Sequence, residues 1–177
     1  FRRVLFRSPL NFQSLQASGS WQSPSLKFDT FNIKTSEARL HASGSYNHQS
    51  QEADGRLALE IPGLNANMAG KAGRDQGQGT LELRADKLEK SIAWLERWPP
   101  LKAMLTQATV QGDLAMDGSW QGGWRDLGRD LRFDLGLKAT GLQWRQAAAA
   151  GAETTVLRLQ KVQAKASGRP NDFALQS

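Results

Sequence analysis

The sequence predicts an all-β protein: a long, curled antiparallel-type sheet left open as a groove (a β-taco), built from repeats and carrying one short amphipathic helix. Three observations predict it. Apolar and polar residues alternate with period two through most of the chain, the periodicity of a half-buried strand. Dipeptides rich in Gly, Pro and Asp punctuate those runs as turns do. One seven-residue phrase recurs three times, the mark of repeated supersecondary units.

The strands follow in order. Leu26 and Phe28 lie on one side by strict parity, and Phe31 and Ile33 on the other. A bulge near Asp29–Thr30 restores all four to one face; without it half of them would turn to solvent. Leu57, Leu59 and Ile61 alternate with Arg56 and Glu60, and Leu81, Leu83 and Ala85 with Glu82 and Arg84. Val110, Gly112, Leu114, Met116, Gly118 and Trp120 share one side against Gln111, Asp113, Ala115, Asp117 and Ser119. Leu131, Phe133, Leu135, Leu137 and Ala139 alternate with Arg132, Asp134, Gly136 and Lys138. Shorter runs are Leu157 and Leu159, then Val162, Ala164 and Ala166. One dry face and one wet face per strand is typical of antiparallel sheet. Ser23-Pro24, Asp54-Gly55, Pro62-Gly63, Gly122-Gly123 and Gly168 to Pro170 are expected as turns. Gly70 to Gly79 and Ala147 to Ala152 are expected as loops.

A single helix stands out. Asp86 fits an N-cap with Glu89 completing a capping box. Leu88, Ile92, Leu95 and Trp98 form an apolar stripe, Pro99 and Pro100 end it, and a second turn over Leu101 to Leu105 is expected. A short amphipathic helix suits the cover of a sheet end. Its polar side, Lys87, Lys90 and Arg97 against Glu89 and Glu96, is nearly balanced in charge, which argues against attraction to anionic lipid. The chain thus divides into a β-repeat segment over 9–85, a helical insertion over 86–106 and a second β-repeat segment over 107–177.

The repeated phrase reads LQASGSW from Leu15, LHASGSY from Leu40 and LAMDGSW from Leu114. The first two copies start 25 residues apart and the third starts 74 further on, close to three such periods. By parity Leu, Ala or Met, and Gly share a face that the closing aromatic continues. Glycine before a large ring leaves room for it. Trp21, Tyr46 and Trp120 are therefore expected as groove-edge aromatics, apolar bodies with a polar tip toward water.

Composition bounds the chemistry. The 177 residues are 39% hydrophobic with 17 glycines, which suits repeats that each bury one face. With no cysteine, disulfides, thiolate metal sites and thiol catalysis are excluded. No stretch reaches the roughly 20 apolar residues of a membrane-spanning helix. The opening octapeptide Phe1 to Ser8, FRRVLFRS, reads as a translated sequencing adapter and is expected to be an artefact, the true gene continuing upstream of Pro9. Setting aside Arg2, Arg3 and Arg7 takes the formal charge from +6 to +3. The remaining cations are scattered singly, so nucleic acid is not an expected partner. His41 and His48 have no metal-ligand spacing, and the four-residue row of Asp126, Asp130 and Asp134 is broken because Leu131 to Ala139 alternates as a strand, so a solvated face is expected. No nucleophile elbow, P-loop or dinucleotide fingerprint is present. No enzyme activity, metal or cofactor is expected.

The segment LEKSIAWLERWPPLKAMLTQATVQGDLAMDGSW, Leu88 to Trp120, resembles a recurrent pattern of the TamB branch of the AsmA-like, bridge-type lipid-transfer proteins. There a short helix with a Trp-Pro or Leu-Pro end leads into a strand of the form V-x-G-x-L-x-apolar-x-G. The opening LQASGSWQSPSLKFDTFNIKTSEARLHASGSY is similar to the same family's alternating repeats. The resemblance covers most of Pro9 to Gly168 and implies a segment of a longer chain. It implies a protein of the translocation and assembly module: anchored in the inner membrane through a segment not present here, crossing the periplasm, and conducting phospholipid acyl chains toward the outer membrane. It implies an outer-membrane Omp85-type barrel (TamA-like) as partner through other regions, and a role in outer-membrane protein and autotransporter assembly. Under it the groove-lining residues are Leu57, Leu59, Ile61, Leu81, Leu83, Leu114, Met116, Leu131, Phe133, Leu135 and Leu137. The alternatives are an extracellular β-solenoid or sandwich with a side-chain-filled core that binds a protein or glycan by its outer face, and a closed lipocalin-like barrel.

Overall fold

The computed structural model describes residues 11–98, 101–102, 108–123, 130–146 and 155–176. They form β1 (Phe12–Gln22), β2 (Ser25–Thr35), β3 (Arg39–Asn47), β4 (Glu52–Ile61), β5 (Leu64–Ala72) and β6 (Gln76–Ala85). Helix α1 (Leu88–Leu95) follows, then β7 (Ala108–Gly123), β8 (Arg132–Gln146), β9 (Thr155–Arg169) and β10 (Asp172–Gln176). The ten strands make one antiparallel sheet in simple chain order. The sheet does not close, so β1 and β10 are its edges. This is the open, repeat-built antiparallel sheet with one short helix that the alternation predicts, and it is not the closed barrel.

The bulge in β2 lies where the parity break puts it. Pairing with β1 shifts between Ser18 and Gly19, and pairing with β3 shifts between Phe28 and Phe31. Asp29 and Thr30 absorb the extra residue, so Leu26, Phe28, Phe31 and Ile33 share a face. Asp29 also holds Lys27 in an ion pair at 2.7 Å; the hydrogen bond to Asp29 raises the Lys27 ammonium above its ordinary value.

Several local expectations are corrected. Asp54-Gly55 lies inside β4, and the β3–β4 turn runs from His48 to Gln51 instead. The Gly70 to Gly79 stretch is not a loop: Gly70 belongs to β5, Gly77 and Gly79 to β6, and only residues 73–75 turn. These glycines are paired strand residues. In β7 the register shifts between Gln111 and Asp113. The extra residue is on β8: Gly141, at φ 61°, and Leu142 stand opposite the single Gly112, at φ 118°, and beyond them Val110 pairs with Trp144.

The three copies of the phrase occupy β1, β3 and β7, which all run in one direction. Leu15 and Leu40 sit in one cross-strand row through Ile33, whereas Leu114 sits one row over, paired with Ala85. The 74-residue spacing is therefore two hairpins, β3–β4 and β5–β6, plus the helical insertion, and not three periods.

Helix α1 is hooked to the β4–β5 turn. The Asp86 N–H donates to the Gly63 carbonyl at 3.1 Å, and the Ser91 hydroxyl donates to the Pro62 carbonyl at 3.1 Å. Gly63 has φ 78°, and a Cβ there would meet the Lys87 carbonyl oxygen at 2.5 Å, so the close approach needs glycine. Asp86 is not the cap. Its backbone is engaged by the turn, and Lys87 holds the cap position with no side-chain bond. The inward side is Ser91 and Trp94; Leu88, Ile92, Leu95 and Trp98 are half-buried around it. Small Ser91 permits the contact that the expected stripe would have held off. The Trp94 and Trp98 rings lie 6.4 Å apart, and Arg97 pairs with Glu37 beyond the β2–β3 end. The helix also packs against β7.

Among the described residues only Ile61, Ala85, Trp94 and Ala139 are buried apolar side chains. Ile61, Ala85 and Ala139 belong to a single cross-strand row, Ile61–Leu64–Ala85–Leu114–Ala139–Val162. The dry core is this one end of one face. Leu101 and Lys102 are helical. Pro99-Pro100, the rest of the expected turn to Leu105, the Ala147–Ala152 run and Phe1 to Ser8 lie outside the described residues.

Removing the Trp94 side chain should unhook α1. In urea melts, Trp94→Ala is expected to lower stability by about 3 kcal/mol, as for a large buried aromatic, and Ser91→Ala by about 1 kcal/mol, one lost hydrogen bond. A Trp94→Ala loss below the Ser91→Ala loss would show that the sheet end does not depend on α1.

Candidate functional site: an open apolar face

Paired residues of an antiparallel sheet share a face, so the ladder can be read as rows that cross all the strands. One row is Leu15–Ile33–Leu40–Leu59–Ala66–Leu83–Met116–Leu137–Ala164. The next is Ala17–Phe31–Ala42–Leu57–Met68–Leu81–Gly118–Leu135–Ala166–Leu175. With the Ile61–Leu114 row beside α1, the structure brings Leu57, Leu59, Ile61, Leu81, Leu83, Leu114, Met116, Phe133, Leu135 and Leu137 onto one continuous face. Leu131 stands just before β8, beside Gly122, one residue outside the paired ladder.

Away from α1 the described residues leave this face open. Met68 is 44% exposed and Leu135 38%, while Ala85 and Ala139 at the helix end are 1% and 3%. Contiguous exposed apolar area of this kind marks a binding surface or an aggregation liability.

The third row was not legible residue by residue. It reads Gly19–Phe28–Gly44–Gly55–Gly70–Gly79–Trp120–Phe133–Gly168. Five of its six members on β1 to β6 are glycine, and Trp120 lies back over them. A Cβ on Gly79 would strike the Trp120 ring and meet the Ala69 carbonyl oxygen at 2.6 Å, and one on Gly70 would meet Trp120 Cζ2 at 3.3 Å. Gly118 does the same for Leu135, whose Cδ2 occupies the place of its missing side chain at 2.5 Å. Beyond the glycines runs Trp21–Leu26–Tyr46–Ala53–Ala72–Gly77. Trp21 and Tyr46 therefore stand together at the strand ends, whereas Trp120 is one row further in. Trp120 is not an edge aromatic: the two-residue offset of the third phrase copy carries it onto the glycines.

The opposite face is polar. Arg39–Glu60 and Lys71–Asp54 are cross-strand ion pairs at 3.6 Å, and Arg84–Glu82 pair along β6 at 2.6 Å. His41 contacts Asn32. His48 instead bonds the Pro24 carbonyl at 2.9 Å and lies 5.9 Å from the Trp21 ring. No cluster of metal-ligating side chains occurs among the described residues. A depression of about 710 Å³ lies mainly on this polar side, with His41, Arg56, Asn67, Glu82, Asp117 and Asp134 in its lining. A smaller one of about 290 Å³ lies on the apolar face over Gly55 and Gly70, with Trp120 at its end.

No protein-family model, curated protein or solved structure matches the chain.

Two outcomes follow from the rows. Gly79→Ala forces a methyl group into the Ala69 carbonyl and the Trp120 ring, and is expected to cost about 2 kcal/mol as overpacking. Gly55→Ala, whose Cβ meets only the Ser43 carbonyl oxygen at 3.2 Å and the Gly44 Cα at 3.9 Å, is expected to cost less than half as much; equal losses in denaturant melts would refute the Trp120 packing. On the wet face, Arg39→Ala is expected to change stability by less than about 0.5 kcal/mol, because exposed pairs are screened.

Proposed function

We propose that the chain is a segment of a non-enzymatic, periplasm-spanning protein whose open apolar face carries phospholipid acyl chains toward the outer membrane. The observation that carries this reading is a ten-stranded unclosed sheet with one face apolar along its length, which among the described residues is covered only at the α1 end. Acyl chains cover such a surface without asking for hydrogen bonds. The pattern resemblance of Leu88 to Trp120 to TamB-type proteins adds the setting: an inner-membrane anchor outside this segment, an Omp85-type outer-membrane barrel as partner, and support of outer-membrane protein and autotransporter assembly. The rows run across the strands, along the long direction of the sheet, so a chain could pass from hairpin to hairpin over the same kinds of side chain.

Native mass spectrometry of the purified protein, with a photo-crosslinkable phospholipid as probe, tests this. Co-purifying phospholipid and cross-links on the leucine rows are expected. Leu135→Asp should lower lipid occupancy at least about tenfold while keeping the fold, since desolvating a carboxylate beside acyl chains is costly and Leu135 is already 38% exposed. Leu114→Asp should instead destabilise the protein, because Leu114 sits between buried Ala85 and Ala139. A clean apo mass with no cross-link would overturn the proposal.

A second reading, a module that binds a protein or glycan by its polar face, is favoured by the 710 Å³ depression there. It predicts that Arg56→Ala and Asn67→Ala abolish ligand capture while Leu135→Asp leaves it unchanged.

A further inference from the structure

Same-face rows on a strand are about 7 Å apart, two residues at about 3.4 Å. Where a whole row is glycine, the sheet presents a slot about one row wide between the flanking side chains. Gly44, Gly55 and Gly70 on β3, β4 and β5 form such a floor. Leu57 and Met68 wall it on one side, and Ala53 and Ala72 on the other. The slot runs across the strands. Phe28 closes it on β2 and the Trp120 ring closes it at Gly70–Gly79, leaving an open floor about two strands long, roughly 10 Å at about 4.8 Å per strand. The 290 Å³ depression on the apolar face lies here.

The dimensions select the occupant. An α-helix with its side chains is about 10–12 Å across and is too wide. A further strand has nothing to pair with, because β3, β4 and β5 are each paired on both sides. A single hydrocarbon chain is narrow enough and needs no hydrogen bond. Resting on the acyl-chain reading above, we propose that the glycine slot seats one phospholipid acyl tail and that Trp120 is the stop that sets how much of the tail is held. Taking Trp120 away exposes Gly79 and lengthens the floor toward β7.

The test measures binding of single-tailed phospholipids of increasing chain length, below their micelle concentrations, to the whole chain and to its variants. Free fatty acids of the same lengths form a parallel arm. Wild-type affinity is expected to rise about fourfold per added methylene, as for hydrocarbon leaving water, and then to stop rising. In Trp120→Ala the plateau should move to longer tails. Gly55→Leu fills the floor, and with Trp120 intact it should weaken tail binding at least about tenfold, with circular dichroism showing the sheet retained. An unchanged plateau in Trp120→Ala, or undiminished binding in folded Gly55→Leu, would overturn the slot and leave the broader face reading standing. Absence of binding by every lipid to the wild type would overturn both. Free fatty acids binding more tightly than phospholipids of equal length would reassign the slot to a free acid and overturn the phospholipid assignment.

Discussion

Cross-strand register is the constraint on which everything else rests. A β-strand alternates its side chains strictly, so a slip of one residue anywhere would transfer a strand's whole apolar set to the wet face. Ten strands joined in chain order compound this, because each strand takes its register from its neighbour. Two irregularities in the apolar rows illustrate how the chain holds the pattern. The bulge at Asp29–Thr30 keeps Phe31 and Ile33 with Phe28 and Leu26, and it is pinned on both sides, by β1 and by β3. The β8 bulge at Gly141–Leu142, opposite Gly112, lies just outside the row in which Leu114 joins Ala85 and Ala139. Register thus turns a local alternation into rows that run the length of the sheet.

Those rows explain why glycine recurs where a strand would ordinarily exclude it. Glycine inside a strand forfeits side-chain packing and carries an entropic cost, so a file of them needs a reason in space. Trp120 supplies it on β5 and β6, since Gly70 and Gly79 lie under its ring. Gly44 and Gly55 lie beyond the ring, and the shallow apolar depression rests on Gly55 and reaches Gly70 and Trp120. The same exchange of a missing side chain for a neighbour's bulk recurs at Gly118 and Leu135. The Gly-Ser-aromatic ending of the third phrase copy is therefore a packing device whose partners come from two other strands.

What was legible in the sequence divides along the same line. Alternation announces most of the strands, though not β5 or β10, together with the wet and dry faces and the β2 bulge, since each of these is encoded within a dozen neighbouring residues. Gly55, Gly70 and Gly79 read as turns or loops in the sequence because Asp-Gly and Gly-rich runs usually are; their real partners are set by pairing between β3, β4, β5, β6 and β7. The phrase puts Trp120 at an edge because it matches those of Trp21 and Tyr46, and nothing local reveals a two-residue offset between copies. The helix was legible from its apolar spacing and prolines, but its inward side was not. Ser91 faces in because Pro62 offers a carbonyl there, a partner 29 residues away that hydropathy does not register.

The uncovered face also has a thermodynamic consequence. Burial of apolar area is the dominant favourable term in folding, and here full burial among the described residues is confined to four apolar side chains near α1. Backbone pairing across nine interfaces contributes, but each hydrogen bond nets only about 1 kcal/mol because water competes for the same groups. A ligand that covers the leucine rows supplies the missing burial to the folded state alone, since an unfolded chain has no rows. Binding and folding are then linked, with a ligand at a hundred times its dissociation constant adding about 2.7 kcal/mol of stability. Under the proposed function, the part of the sheet far from α1 depends on its occupant for apolar cover of the kind that the sheet has at its α1 end, where Ile61, Ala85 and Ala139 are buried. The helix and the acyl chain then act as two covers for one face, the first permanent and the second exchangeable.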